Sequence, residues 1–166
     1  AFEMPALLHG GGQEREIRSG TLNAPSIVAF ATAVTESIYN AVTVSSLREK
    51  FESGIAEVAP DAQINGKSAQ RLPGISNITF PGTQADFLLL LMDGKEISCS
   101  TGAACTAGVH RPSHVLMAMG LTDVVSQSSL RFSFGSTNTA EDVAYALSVL
   151  PTVIERGLAA NAVGRK

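Results

Sequence analysis

Two cysteines, Cys99 and Cys105, are the strongest nucleophiles in the sequence, and they stand in different settings. Cys105 lies in a run of small residues over 100–108, where serine, threonine, glycine and alanine give a thiol the exposure and mobility that attack on a substrate requires. The alternative is an ordinary loop cysteine that behaves as a small hydrophobe. Cys99 follows a strand-like pattern and is predicted to be buried and structural. No histidine or lysine is close enough in sequence to identify an activating group for either thiol.

Arginines and hydroxyls supply candidate anion-binding groups in two other segments. Arg131 interrupts the apolar strand pattern SSLRFSFG, and its planar guanidinium suits bidentate binding of a carboxylate. A structural ion pair or a solvent-facing edge position is the alternative for Arg131. The glycine-rich segment 9–21, HGGGQEREIRSGT, offers backbone N–H groups, two arginines and the hydroxyls of Ser19 and Thr21. It matches neither the Walker P-loop nor the Rossmann fingerprint, so a simple turn remains the alternative.

Composition limits the class of protein. The 166 residues are 45% hydrophobic and 16% charged, which is typical of a folded domain with a core. The net charge of −3 gives no electrostatic reason to expect nucleic-acid binding. The longest run of large apolar residues, 87–92, is shorter than the roughly 18 residues of a membrane span, so we expect a soluble protein. The lack of a disulfide framework fits a cytoplasmic location, and no histidine spacing predicts a metal site.

Hydrophobic periodicity predicts the elements that would carry these residues. The apolar stripe over residues 25–58 predicts one long helix, or two end to end. A final helix begins at a capping box between Thr139 and Asp142, with a kink expected at Pro151. The order of helices and strands predicts an α+β fold, in which helices cover one face of a small antiparallel or mixed sheet. Short strands are predicted at 5–8, 62–64, 76–80, 96–98 and 128–134. Two further helices are predicted, one at 84–92 with Thr83 as its cap and one at 113–119. Residues 102–112 are predicted to form a loop.

Taken together, three motifs resemble the cysteine desulfurases of the NifS/IscS type, which are members of the class V aminotransferase-like family. Segment 9–21 is similar to a family pattern close to HGGG-x-ER-x-x-RSGT. Segment 98–108, SCSTGAACTAG, is similar to SSGSACTS. Segment 110–135, HRPSHVLMAMGLTDVVSQSSLRFSFG, is similar to P-S-x-V-L-x-A-x-G followed by SSxRFSxG. Gln13 departs from the pattern, since histidine is common at that position.

The resemblance implies a role for each candidate residue. Cys105 would attack the sulfur of L-cysteine bound to pyridoxal 5′-phosphate, which gives L-alanine and a persulfide on Cys105. Arg131 would hold the carboxylate of the substrate. Thr21 would reach the cofactor phosphate of the neighbouring subunit in a homodimer, and Arg18, Ser19 and Gly20 would shape that interface loop. The persulfide would supply an acceptor such as an Fe–S cluster scaffold, by transfer of sulfur or of a cluster at the Cys105 loop, and would support tRNA thiolation.

The resemblance also implies that this chain is the C-terminal part of a longer enzyme. Residues 1–40 would be the tail of the large cofactor-binding domain of a fold-type I pyridoxal-phosphate enzyme, and residues 41–166 its small C-terminal domain. The family's cofactor lysine follows a Ser-x-His triplet, and no lysine of this sequence has that context. We therefore expect the isolated chain to be inactive. The alternatives are a selenocysteine or cystine lyase of the same superfamily, and a non-catalytic sulfur-carrier or scaffold-binding module.

Overall fold

The chain forms two compact units, Ala1–Tyr39 and Asn40–Lys166. The computed structural model describes residues 4–101 and 112–163, without the side chains of 37–40 and 163. Helix α1 (Ala24–Val58) has residues in both units, and of the two alternatives predicted over 25–58 it is the single helix. That residues 1–40 are the tail of a large domain, and 41–166 a small domain, stays a prediction.

The second unit has the predicted α+β architecture, with one small antiparallel sheet. The strand order is β1-β2-β4-β3, and each neighbouring pair is antiparallel. Of the two alternatives for the sheet, antiparallel or mixed, the described strands form the antiparallel one. The strands are β1 (Gln63–Ile64), β2 (Ile75–Thr79), β3 (Ser100–Thr101) and β4 (Ser129–Ser133), and the helices after α1 are α2 (Ala85–Asp93), α3 (His114–Ala118), α4 (Asp123–Ser126) and α5 (Ala140–Val163).

The core lies on one face of this sheet. Ile78 pairs with Leu130 across β2 and β4, and both side chains are fully buried. Residues paired directly across an antiparallel ladder point to the same face, so the pleat defines an apolar side. Helices α1, α2 and α5 cover that side with apolar residues, and the Phe51 and Phe132 rings meet at a centroid distance of 4.8 Å. The helices contribute these residues to the hydrophobic core: Phe51, Ile55, Leu88, Met92, Leu150 and Val153.

Helix α5 begins at the predicted capping box. Thr139 N–H donates to Asp142 Oδ2 at 2.9 Å, and Asp142 N–H donates to Thr139 Oγ1 at 3.2 Å. The helix continues through Pro151. Among the described residues, Ala140–Ala162 is the one unbroken helix long and apolar enough to cross a membrane by length and composition. Leu150 and Val153 of this helix are buried in the hydrophobic core of the second unit.

The strand predicted at 96–98 is wrong, because β3 forms further along the chain, at Ser100–Thr101. Lys95 and Ile97 donate their N–H groups to Met92 O, and Glu96 donates to Asp93 O. These donors therefore close the last turn of α2 and are not available to a sheet ladder. Glu96 also has a φ of +59°, which is incompatible with an extended strand.

Two further predictions of local structure are corrected. The buried strand predicted at 5–8 is a single parallel bridge between Leu8 and Arg18, and Leu7 and Leu8 are exposed. A strand needs a partner along its length, and the described residues supply only this bridge. Thr83 does not cap α2, because its hydroxyl donates to Phe80 O at 2.7 Å. The N-cap position belongs to Gln84, whose side chain makes no capping bond.

A buried carboxylate joins α1 to the sheet and to the connection before β2. Glu52 accepts a bidentate pair of bonds from Arg71, at 2.7 and 3.0 Å, and a bond of 2.7 Å from the Ser76 hydroxyl. Arg48 donates to Leu72 O at 3.1 Å from the same helix. Burial acts to raise the pKa of Glu52, but the bonds from Arg71 and Ser76 and the charges of both arginines together hold that pKa below its ordinary value.

We predict that Glu52→Gln lowers the free energy of unfolding by about 3 kcal/mol at pH 7, because it leaves partly buried guanidinium groups without their anion. The pKa of Glu52 is lowered in the folded chain, so its contribution is present above the ordinary value of 4.5 and is lost as the pH falls through the folded value. The stability difference between wild type and variant should therefore narrow at acid pH. Urea unfolding at several pH values measures it.

The matched control is Glu49→Gln, which removes an exposed carboxylate that also contacts Arg48, at 3.1 Å. It should change stability by less than about 0.5 kcal/mol, because solvent screens an exposed ion pair. Equal losses for the two variants would contradict the assignment of Glu52 as the stabilising anion.

Candidate functional site

Arg131 lies on the open face of the sheet, opposite the core. It is exposed, whereas its neighbours Leu130 and Phe132 are buried on the other side of β4. Its register partners are Asn77 on β2 and Ser100 on β3, so β4 is an inner strand and the edge alternative does not apply. Within the described part of the chain, no carboxylate forms an ion pair with Arg131. The guanidinium is therefore open to an anion from outside these residues.

Cys105 lies outside the described residues, as does most of the predicted loop 102–112. The flanks of this segment are defined. On one side, β3 pairs Ser100 with Arg131 and Thr101 with Leu130. On the other side, Ser113 caps α3, and its N–H donates to Ser126 Oγ at 3.0 Å. The segment that contains Cys105 thus leaves the sheet beside Arg131.

Cys99 is a half-buried thiol that packs against the core of the second unit. Burial and, to a smaller extent, the negative charge of Asp93 raise the pKa of Cys99 to about 11. A thiol with such a pKa is protonated at neutral pH, and the protonated form is a poor nucleophile. This environment agrees with the structural role predicted for Cys99.

The glycine-rich segment of the first unit is a loop held by its own side chains. Arg18 Nη1 donates to the carbonyl oxygens of Gly20, at 3.2 Å, and Thr21, at 3.3 Å. Gly20 N–H donates to Gln13 Oε1 at 3.0 Å, and Gly20 has a φ of +110°, which favours glycine. Ser19 is buried, and its hydroxyl accepts from Gly12 N–H at 3.3 Å. Thr21 is exposed at the end of this loop.

The loop also contains a short left-handed turn. Glu14, Arg15 and Glu16 have φ values of 50°, 58° and 63°, in a region that side-chain-bearing residues rarely adopt. Each such residue costs on the order of 1 kcal/mol, so the surrounding bonds must hold the turn in place. Glu16 N–H donates to Gly12 O, and Ile17 N–H donates to Glu14 O.

The predicted residues fall in different units. Thr21, Arg18, Ser19 and Gly20 belong to the first unit, and Arg131 belongs to the second. Each set is ordered within its own unit, the first by the loop's hydrogen bonds and the second by the pairing of β4. Among the described residues there is also no group of three or more histidine, cysteine, aspartate or glutamate side chains that could hold a metal ion.

The sequence does not predict two groups of ordered polar residues. Gln13, a departure from the family pattern, accepts a hydrogen bond from the Gly20 N–H. Asn65 and Asn77 hydrogen-bond to each other at 2.6 Å, and Asn77 lies on the same sheet face as Arg131. The sequence offers no signal for this pair, because strand register decides which residues share a face.

A separate cleft of about 420 Å³ lies in the second unit, between the start of α2, the α4–β4 connection and the end of α5. It is lined by residues such as Thr83, Phe87, Gln127 and Asn161, and no charged side chain lines it. This cleft therefore supplies no group suited to the chemistry predicted from the motifs.

Known proteins are similar to this chain over most of its length. A family model described as aminotransferase class-V matches residues 6–145. An IscS-like cysteine desulfurase of Mycobacterium tuberculosis is 44% identical over 155 residues, which are 90% of this chain and 39% of the relative. A cysteine desulfurase IscS of Methanosarcina thermophila is 40% identical over 154 residues, which are 90% of this chain and 38% of the relative.

A solved structure agrees with both the sequence matches and the fold. The X-ray structure of a NifS-like protein from Rickettsia africae superposes with a TM-score of 0.76 at 30% identity, and covers 93% of this chain and 41% of that one. The chain spans about two fifths of the length of the relatives it matches. The motif-based resemblance is confirmed, and the chain belongs to the aminotransferase class-V family.

Proposed function

We propose that this chain is the part of a pyridoxal-phosphate-dependent cysteine desulfurase that delivers the nucleophilic thiol and holds the substrate carboxylate. The observation that carries the proposal is Arg131, a guanidinium on an inner strand with no carboxylate partner in the described part of the chain. Its planar donors suit the carboxylate of L-cysteine. The cysteine desulfurase relatives in Mycobacterium tuberculosis and Methanosarcina thermophila support the reaction class.

The sulfur transfer assigns one task to each residue. Arg131 binds the carboxylate of L-cysteine and so orients its side chain toward Cys105. The thiolate of Cys105 attacks the substrate sulfur, the new S–S bond forms, and the C–S bond breaks with its electron pair left on the carbon. Protonation of that carbon gives L-alanine. When bound, pyridoxal phosphate supplies the electron sink that makes the substrate sulfur open to this attack.

The residues present fit one side of a cofactor site. Thr21 is exposed at the end of a loop whose main chain Arg18 holds, so its hydroxyl is available to a phosphate. We propose that this phosphate belongs to the neighbouring subunit of a homodimer. The described lysines Lys50, Lys67 and Lys95 are all exposed and lie in no Ser-x-His context, so we propose that the lysine that holds the cofactor comes from outside these 166 residues.

The persulfide needs an acceptor. We infer that it serves Fe–S cluster assembly through a scaffold protein, and that a second use is tRNA thiolation by way of a protein acceptor, without direct nucleic-acid binding. The net charge of −3 is consistent with a protein partner. We propose a cytoplasmic location for the enzyme, where thiols remain reduced, and no membrane association.

The thiol assignment predicts different effects for the two cysteines. In a protein that also includes the region preceding this segment in the longer relatives, Cys105→Ser should lower alanine release roughly 10³-fold or more, because the attacking thiolate is absent. The visible absorbance of the bound cofactor should persist. Cys99→Ala is the matched control, and should retain activity within about twofold because the Cys99 thiol is protonated and half-buried.

Mass spectrometry after reaction with L-cysteine should locate the persulfide on the peptide that contains Cys105. A persulfide on Cys99, or full activity in Cys105→Ser, would show that the wrong thiol was assigned.

The isolated 166-residue chain should be inactive by itself. Mixed with pyridoxal phosphate and L-cysteine, it should release no alanine above the rate of free cofactor. Borohydride reduction should leave no cofactor mass on the chain, because no lysine is placed to hold it. Alanine release together with a stable cofactor adduct would contradict the proposal that the lysine lies elsewhere.

A further inference from the structure

A continuous row of hydrogen bonds runs along the sheet face that carries Arg131, and its members Thr79 and Ser129 are buried. Asn65 Nδ2 donates to Asn77 Oδ1 at 2.6 Å and to Thr79 Oγ1 at 2.9 Å. The hydroxyls of Thr79 and Ser129 are 2.8 Å apart across β2 and β4. The row ends where the Ser129 hydroxyl meets the Val125 carbonyl oxygen at 2.9 Å.

The last bond fixes the direction of every other bond in the row. A backbone carbonyl only accepts, so the single hydroxyl hydrogen of Ser129 is used on Val125. Ser129 must then accept from Thr79, whose own hydrogen is also used. Thr79 must accept from the Asn65 amide, so Asn65 presents its nitrogen to the row. The second amide hydrogen of Asn65 therefore goes to the oxygen of Asn77.

The consequence is that Asn77 presents a hydrogen-bond donor, rather than an acceptor, next to Arg131. Its oxygen is occupied, its side chain is half-buried, and its amide nitrogen donates to no acceptor among the described residues. Asn77 and Arg131 are direct register partners on one sheet face, where paired Cβ atoms are about 5 Å apart. An asparagine in the opposite orientation would offer its oxygen to the guanidinium and hold it.

We propose that Asn77 is a second binding residue for the substrate carboxylate, and that it donates its amide N–H to the group that Arg131 binds. Side by side, the two side chains offer donors only, which suits a carboxylate and disfavours a cation or another donor. The inference rests on the proposed function of Arg131. It adds a specificity residue that the row of hydrogen bonds orients before substrate arrives.

The test compares L-cysteine with cysteamine, which lacks the carboxylate. Binding is measured from the cofactor absorbance in a Cys105→Ser background of the protein that also includes the preceding region of the longer relatives, so that no sulfur is transferred. Asn77→Asp keeps an oxygen for Asn65 but replaces the donor with an anion. It should weaken L-cysteine binding about 100-fold, because a charge-assisted hydrogen bond is replaced by repulsion between two carboxylates. Cysteamine binding should weaken less than about threefold. Asn77→Ala should weaken L-cysteine binding about tenfold.

Two reference variants separate the possible failures. Arg131→Ala should also weaken the binding of L-cysteine more than that of cysteamine. Ser133→Ala changes an exposed position on the same strand and face, and should alter the binding of neither ligand. If Arg131→Ala weakens L-cysteine binding more than cysteamine binding, and neither Asn77 variant does, the inference fails and the proposed function stands. If the Arg131 variant is not selective either, the proposed function fails with it. Equal weakening of both ligands by the Asn77 variants would mean a general structural effect and would also overturn the inference.

Discussion

The alternation of side chains along β4 is the constraint on which the rest of the second unit depends. Leu130 and Phe132 are buried among the side chains of α1, α2 and α5. Because successive residues of a strand point to opposite faces, burial of these two places Arg131 on the open face. The guanidinium therefore avoids the cost of burial. Packing of Leu130 and Phe132 in the core fixes the position of the backbone that carries it. A slip of one residue in register would exchange the two faces and move Arg131 into the core.

The same sheet relates Arg131 to the segment that contains Cys105. Thr101 and Ser100 pair with β4, so the chain enters that segment beside the guanidinium, and it returns at the capped start of α3. A proposed nucleophile that must meet both a bound substrate and an acceptor needs local freedom between fixed ends. The described flanks supply the fixed ends, β3 on one side and the capped start of α3 on the other.

Charge is distributed differently in two parts of the second unit. The buried carboxylate of Glu52 is satisfied by Arg71 and Ser76, and this closed cluster ties α1 to the connection before β2. On the open face, Arg131 has no anionic partner among the described residues, and the ordered row of bonds leaves Asn77 with a donor beside it. The first arrangement stabilises the fold, and the second is the anion site that we propose for the substrate carboxylate.

The sequence by itself determined the family and the chemistry of the candidate residues, because motifs are local properties of the chain. Helix α1, the capping box of α5 and the strand around Arg131 were all predicted from spacing alone. Only the tertiary structure decided that β3 begins at Ser100, because the N–H groups before it close the turn of α2. It also decided the pairing of Asn77 with Arg131 and the burial of Glu52, since both depend on register and packing between segments far apart in sequence, which no local pattern encodes.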